Sequence, residues 1–502
     1  VVFVKDYKEL LKEALDKRRR VIFDNDGGDI IYCKEATAEA LLEQRTTKLV
    51  NSGTDTLIYV TRSSGFGQFT FNTKHGQLFT VTADRYKNNI TQKLVEQGTD
   101  CLKIISDFCH RHGIEVFWGM RMNDTHDAGN DPGSIACFEN NKIKREHPDR
   151  LIGNRVKKRL YGAWTAVDYA VEEIRDLAYK FVEEVCDNYD IDGVHLDFFR
   201  HPVFFSTTAQ GLPATEEEIQ WMTALMERIK KRIVERSVER QKAILLSVRV
   251  PDSLEYAKTI GLDIEAWLKK GFVDILFTGG YFTMNDPLYS ALLAKKYGVK
   301  YVASLDENRI PDEEARRERD SLLCYRARAM NAFSQGADGV FLFNYTGKDV
   351  KGYVDAGFTL PGEISEESRL EKLDKDYFIS IRGMGKAAGG NYPYDEFLNV
   401  PVLNPANPLE ADEQKAVSLY IYVGDSVKEK GGKAYLCIRK KDKAEGEKAY
   451  VNGFLTAPGY EEGLYTVHEI DPSYLIKGKN LITIKAPSKM AILDMKISVR
   501  YS

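Results

Sequence analysis

Polar side chains recur in one kind of place in this 502-residue sequence, directly after short β-branched and aromatic runs. Asp24 and Asp26 close the first run, Arg62 the second, and Arg121 and Asn123 the third, with Asp124 and His126 just beyond. His195, Asp197, Arg200 and His201 follow the fourth, Arg249 and Asp252 the fifth, and Tyr281 the sixth. Asp306 and Glu307 follow the seventh, and Asn344 the eighth. A ring of carboxyls among guanidiniums suits acid–base work on an acetal: one carboxylic acid protonates the leaving oxygen and a second carboxylate serves as nucleophile or base. Side chains alternate between the faces of a strand. If Val194 and Leu196 face outward, Gly193, His195 and Asp197 face inward. A carboxylate aimed into a closed sheet is costly unless it is solvated or paired. Asp197 is therefore the first catalytic candidate, and a salt bridge to Arg200, Arg249 or Arg121 is its structural alternative. Tyr301, Ala303 and Leu305 suit the outer face of the seventh run, which turns Asp306 inward with Glu307 after it. Asp306 or Glu307 is the expected second carboxyl, with Asp252 and Asp24 in reserve. Asp24, Asp26, Arg62, Arg121, Asn123, His195, Arg200, Arg249, Tyr281 and Asn344 are expected to bind substrate.

The elements that must hold these groups alternate. Strand-like runs fall at 20–26, 56–62, 115–123, 193–199, 244–251, 273–281, 300–306 and 339–345. Amphipathic stretches at 36–50, 90–112, 166–188, 216–239, 263–270, 287–297 and 312–335 predict the helices between them. Gly53, Gly113, Gly271, Gly298 and Gly336 stand where helices should stop. Eight such units predict an α/β fold, a (β/α)8 TIM barrel over 1–355, whose open mouth lies at the strand C-terminal ends. An open doubly wound sheet is the alternative, but neither a GxGxxG turn nor a P-loop supports it. Beyond 346 the helical period disappears, and runs at 419–423, 434–439, 480–485 and 495–501 alternate with turns such as Glu429-Lys-Gly-Gly432. They predict a C-terminal antiparallel β-sandwich, an accessory domain over 401–502, joined by a link over 356–400.

Bulk properties narrow the partners. With 43% hydrophobic and 29% charged residues a large core can form, and a net charge of −4 gives no reason to expect nucleic acid or an anionic membrane. No apolar run approaches the roughly 18 residues of a membrane span. The first residues, Val1-Val2-Phe3-Val4-Lys5, do not read as a signal peptide, and without an initiator Met the chain is expected to be trimmed. The seven cysteines show neither CxxC pairing nor metal-ligand spacing and read as buried free thiols. The Asp24-Asn-Asp-Gly-Gly28 turn lacks EF-hand spacing, and no HExxH pattern supports zinc, so neither metal nor cofactor is expected. No strand ends in the lysine a Schiff-base enzyme needs. Arg62, Arg121, Arg200 and Arg249 match carboxylate or sulfate geometry and point to an acidic glycan. The alternative is that they neutralise the neighbouring aspartates. Tyr281 and Phe66 are expected as sugar-stacking platforms, Trp118 as core, and the charged run 313–320 as a solvated helix face.

Three segments carry a resemblance: His147-Pro-Asp-Arg-Leu-Ile-Gly153, Val167-Asp-Tyr-Ala-Val-Glu-Glu-Ile-Arg175 and Tyr189-Asp-Ile-Asp-Gly-Val-His-Leu-Asp-Phe-Phe-Arg-His-Pro202. Together they resemble the bacterial family-10-like glycosyl hydrolases. The resemblance implies a barrel hydrolase acting on a carbohydrate, with Asp192, Gly193, Asp197, Phe198, Phe199, Arg200 and Pro202 in the motif around the fourth strand. Ala170-Val171 stands where that family usually has asparagine–proline, and no motif places the second carboxylate. A glycan-degrading enzyme with a β-module implies a periplasmic or extracellular setting. A barrel mouth without paired carboxyls would instead make this a non-catalytic carbohydrate-binding protein.

Overall fold

The computed structural model describes residues 5–62, 64–345, 359–381, 390–441 and 446–501. Eight parallel strands close a barrel: β1 (Val21–Asn25), β2 (Thr56–Val60), β3 (Glu115–Arg121), β4 (Gly193–Asp197), β5 (Leu245–Val250), β6 (Ile275–Thr278), β7 (Lys300–Ser304) and β8 (Gly339–Leu342). Each pairs with its predecessor, and β8 pairs with β1 through Val21 opposite Val340. The strands are buried on both faces, which is why they read as apolar runs. Alternation holds on β4: a Cβ on Gly193 would lie 2.6 Å from the Phe117 ring, so no larger residue fits there. Trp118 is fully buried among Phe69 and Phe71, as core, and its indole N–H donates to Thr61 at 2.9 Å. All five expected helix-stop glycines take φ between 67° and 96°, where a side chain would be strained.

Several helices differ from the periodicity. The stretch 90–112 splits into Thr91–Glu96 and Cys101–Arg111, because Gly98 breaks the first and the Asp100 side chain caps the second. The stretch 166–188 is helical only from Glu172, since Val167 bridges to Leu151 and Asp168 is held by Arg155 at 2.7 Å. The 312–335 stretch breaks into Glu313–Arg319 and Leu322–Ser334, where Ser321 caps the second helix. An additional helix, Tyr7–Leu15, has an Asp6/Glu9 capping box, a local signal that periodicity alone passes over.

The second unit holds two antiparallel sheets. Its strands are β9 (Lys375–Phe378), β10 (Leu409–Ala411), β11 (Val417–Val423), β12 (Lys433–Lys440), β13 (Lys448–Val451), β14 (Phe454–Leu455), β15 (Tyr460–Glu462), β16 (Tyr465–Ile470), β17 (Gly478–Lys485) and β18 (Met490–Arg500). One sheet runs β9-β18-β12-β16-β15 with β10 also on β18, and the other runs β11-β17-β13-β14. Thus part of the stretch expected as a link supplies the strand β9. The expected boundary at 355 lies outside the described residues.

The charged run 313–320 corrects the expectation of a solvated face. Arg319 is 1% exposed and makes a bidentate pair with Asp494 of β18, at 2.6 and 2.5 Å. Arg439 reaches Asp312 at 2.8 Å and Lys496 reaches Glu318 at 2.9 Å, so one side of this helix is the seam between the two units. All seven cysteines are buried free thiols, as expected. Among the described residues, no helix is long and apolar enough to cross a membrane.

Candidate active site

Three neighbouring strands set the charged row. Arg121 on β3 is in register with Asp197 on β4, and Asp197 with Arg249 on β5. Arg249 is fully buried. Its Nη1 donates to both Asp197 oxygens at 3.0 Å, and its Nη2 donates to Asp306 just beyond β7. Asp197 Oδ1 also accepts the backbone N–H groups of Phe199 and Arg200, both at 2.9 Å. Burial raises the Asp197 pKa, but Arg249 and Arg121 more than offset it and hold the carboxyl below the usual range. Burial dominates at Asp306, which is pushed up despite Arg249 and Ser304. Over this triad lies an aromatic cover: Arg249 is 3.9 Å from the Phe343 ring centre, 5.4 Å from Phe199 and 5.6 Å from Tyr281. A Cβ on Gly280 would meet the Phe199 ring at 2.1 Å, so only glycine lets the chain pass there to present Tyr281.

Asp24 and Asp26 share the inward face of β1 and its extension, yet their surroundings differ. Asp26 is half-buried, pairs with Arg45 at 2.7 Å and accepts the Gly28 N–H at 2.9 Å; despite burial, these hold it well below the usual range. Asp24 is 4% exposed, its carboxyl forms no hydrogen bond among the described residues, and its Oδ2 is sealed from solvent. Burial pushes its carboxyl up to about 7, with Arg121 opposing and the charges of Asp26 and Asp197 adding to the rise. One mouth therefore holds a carboxyl that is half-protonated near neutrality and another that stays ionised.

The rim is wired through arginines. Arg200 donates to the Tyr281 hydroxyl and to His126 Nε2 at 3.0 Å. An arginine only donates, so Nε2 accepts and the proton on Nδ1 goes to Asp124 Oδ1 at 2.8 Å. Thr125 N–H donates to His201 Nδ1 at 3.1 Å. Ligand atoms of Asp124, His126 and His201 come within 4.8 Å of one another. One nitrogen of each ring is already spent as acceptor, and Arg121 and Arg200 stand beside the group. The arrangement is that of a hydrogen-bond chain. Glu307 is 39% exposed at its side chain and accepts from Asn344 at 3.0 Å and Arg309 at 3.2 Å. Arg62, His201 and Asn344 follow β2, β4 and β8 with φ of 80°, 57° and 53°. Such left-handed non-glycine residues are uncommon and gather where a site demands a strained backbone.

Most of the expected site residues converge, but four are placed against their expected roles. Asn123 is fully buried, and its amide is committed to backbone: it donates to the Val167 and Val203 carbonyls and accepts the Val167 N–H. Its amide is spent on holding the loop backbone. His195 lies one inward step below Asp197, 2% exposed between Phe277 and Phe341, with Nδ1 2.9 Å from Ser247 Oγ. Burial pushes its pKa down to about 3, so it is a neutral core group. Phe66 is 1% exposed against Tyr169 and Phe181 and offers no free face. The Tyr281 ring is already covered by Arg309, at 3.8 Å from its centre. Sequence reasoning missed Arg45, which arrives from the helix Ala38–Arg45, because only strand ends were searched. Arg309 escaped for a similar reason, lying in the loop after β7.

Residues 72–285 match the family Glycosyl hydrolase-like 10. The glycosyl hydrolase-like 10 match spans β3 to β6 and so includes Arg121, Asp197, Arg200, Arg249 and Tyr281; Asp24 and Asp306 lie outside it. Among solved structures, α-L-fucosidase isoenzyme 2 from Paenibacillus thiaminolyticus is 15% identical, with a TM-score of 0.41, over 70% of this chain and 49% of its own. The present chain thus spans about half the length of that fucosidase. An Anoxybacillus α-amylase is 11% identical over 94% of this chain and 98% of its own, with a TM-score of 0.39. The PgaB (BpsB) glycoside hydrolase domain from Bordetella bronchiseptica is 9% identical over 65% and 94%, with a TM-score of 0.39. A search of curated proteins found no match.

Proposed function

We propose that this chain is a glycoside hydrolase whose acid is Asp24 and whose ionised carboxylate is Asp197. The observation that carries the reading is the split between these two groups: burial without a partner keeps Asp24 protonatable up to about 7, while Arg249 and Arg121 keep Asp197 charged. Carboxyls driven apart by their environments mark acid and base assignments in such enzymes. In this mechanism Asp24 gives its proton to the leaving glycosidic oxygen as the C–O bond breaks. Asp197 opposes the positive charge that develops at the anomeric carbon, water adds its oxygen there, and the proton that water loses returns to the ionised Asp24. Asp306 shares Arg249 with Asp197 and sets the charge on the row, which makes it a positioning residue here. Glu307, the most exposed of the mouth carboxyls, is the reserve for the second role.

Arg62 and Arg200 support an acidic glycan. Arg62 and Arg200 form no ion pair among the described residues, whereas the Arg121 charge is shared by Asp124, Asp24 and Asp197. A sugar carboxylate or sulfate would meet guanidinium not already neutralised. The test is turnover of neutral and uronate-bearing oligosaccharides by the wild type, Asp197→Asn and Asp24→Asn. Expected are hydrolysis of the uronate-bearing members, a loss of at least about a thousandfold in Asp197→Asn, and a loss in Asp24→Asn that shrinks when an aryl glycoside supplies a good leaving group. Full activity in both variants would sink the assignment. Binding without hydrolysis by the wild type would favour the carbohydrate-binding reading.

A further inference from the structure

A second site lies away from the mouth. A cavity of about 150 Å³ opens between the outer face of β6 and β7, the helix Leu322–Ser334, and the strands β9 and β11. Its walls include the apolar side chains Phe378, Ile379, Val402 and Ile421. Into it faces Arg328, 8% exposed, with neither a hydrogen bond nor an ion pair to any described residue and with Nε sealed from solvent. Three residues on, Asn331 shares the same helix face. Its amide Nδ2 donates to the Tyr422 carbonyl at 3.0 Å, while its Oδ1 is buried and unpartnered.

A guanidinium removed from water without a counterion is costly, and single buried charges are normally paired. Asp306 and Asp320 act on Arg328 through space, but neither reaches its guanidinium as an ion pair. Asp306 is already taken by Arg249 and Ser304, and Asp320 accepts from Asn308 at 2.7 Å. Concave sites at the junction of two units, apolar with a few unspent polar groups, are where small ligands bind. From these observations we infer that this cavity is a ligand site for a small organic carboxylate with an aromatic or branched aliphatic body. Arg328 takes the carboxylate as a fork and the apolar wall takes the body. The wall also carries Asp252, which accepts the Met284 and Asn285 N–H groups, and Asp286, paired with Lys479 at 2.8 Å, so a monoanion on Arg328 adds less charge beside them than a phosphate dianion would.

The inference does not depend on the reaction at the barrel mouth. Its test uses benzoate as probe and benzamide as the neutral isostere, with Kd measured by ligand-observed NMR on the intact chain. The wild type is expected to bind benzoate at least tenfold more tightly than benzamide. Arg328→Met should lose that preference while melting no lower than the wild type, since it removes an unpaired buried charge. Arg328→Lys keeps the charge without the fork and should bind benzoate several-fold more weakly than the wild type, which keeps the test informative if the methionine variant misfolds. Equal affinity for benzoate and benzamide would overturn the site. Benzoate binding unchanged in both Arg328 variants would overturn it too, placing the anion at the mouth arginines.

Discussion

At the scale of single residues, Asp24 and Asp197 show how environment assigns a role to the same side chain. Both are about 4% exposed, but only Asp197 has partners. Asp24 carries a consequence for stability. An unfolded chain releases this proton near the ordinary value of 3.8, and the folded one near 7. The folded-state value is raised, so the group leaves the fold unpenalised below about pH 4 and penalises it increasingly as pH rises through about 7, by roughly 4 kcal/mol when fully ionised. Asp24→Asn removes that penalty. Its urea midpoint relative to the wild type is expected to be higher at about pH 8 than at about pH 5. Parallel midpoints at the two pH values would show that Asp24 ionises freely in the fold. The inward aim of Asp197 was legible from alternation with Val194 and Leu196. The isolation of Asp24 was not, because it depends on which arginines from other strands reach it.

At the scale of elements, the Asp197–Arg249–Asp306 triad ties β4, β5 and β7 beneath the mouth. Removing one partner of a buried charge group leaves the others uncompensated, a loss of about 3–5 kcal/mol. Arg249→Met is expected to lower stability by that order in chemical denaturation, and to do so less at acidic pH, where Asp197 and Asp306 take up protons. A loss below about 1 kcal/mol, the range of exposed pairs, would show that water reaches the triad. The strand order and the glycine stops were readable because parallel strands are apolar on both faces and helices end on left-handed glycines. The helix breaks at Asp100 and Ser321 were less so: capping side chains are short-range signals lying inside a longer period. The triad itself is half readable. Parity points Asp197, Arg249 and Asp306 inward, but which pairs with which is decided by barrel geometry.

At the scale of the molecule, the barrel and the sandwich share a seam that composition conceals. A run as charged as Glu313-Glu-Ala-Arg-Arg-Glu-Arg-Asp320 reads as solvated, yet Arg319 and Asp494 are both buried in it. The signal lay in the partner strand, distant in sequence. Arg319→Met strands Asp494 and is expected to cost about 3–5 kcal/mol, whereas adding Asp494→Leu should return much of it, since an apolar replacement of a buried pair is often neutral. A double variant no more stable than the single one in thermal unfolding would mean that the pair is not what holds the seam.

The whole account turns on a proton held at Asp24 near neutral pH beside a charged Asp197. The most direct measurement is the pH dependence of kcat/KM for the best-hydrolysed oligosaccharide, in the wild type and in Asp24→Asn. The expected wild-type profile falls above about pH 7 as the acid is lost, and in Asp24→Asn that descending limb disappears along with most of the rate. A descending limb that persists unchanged in Asp24→Asn would contradict the account and assign the proton to another group.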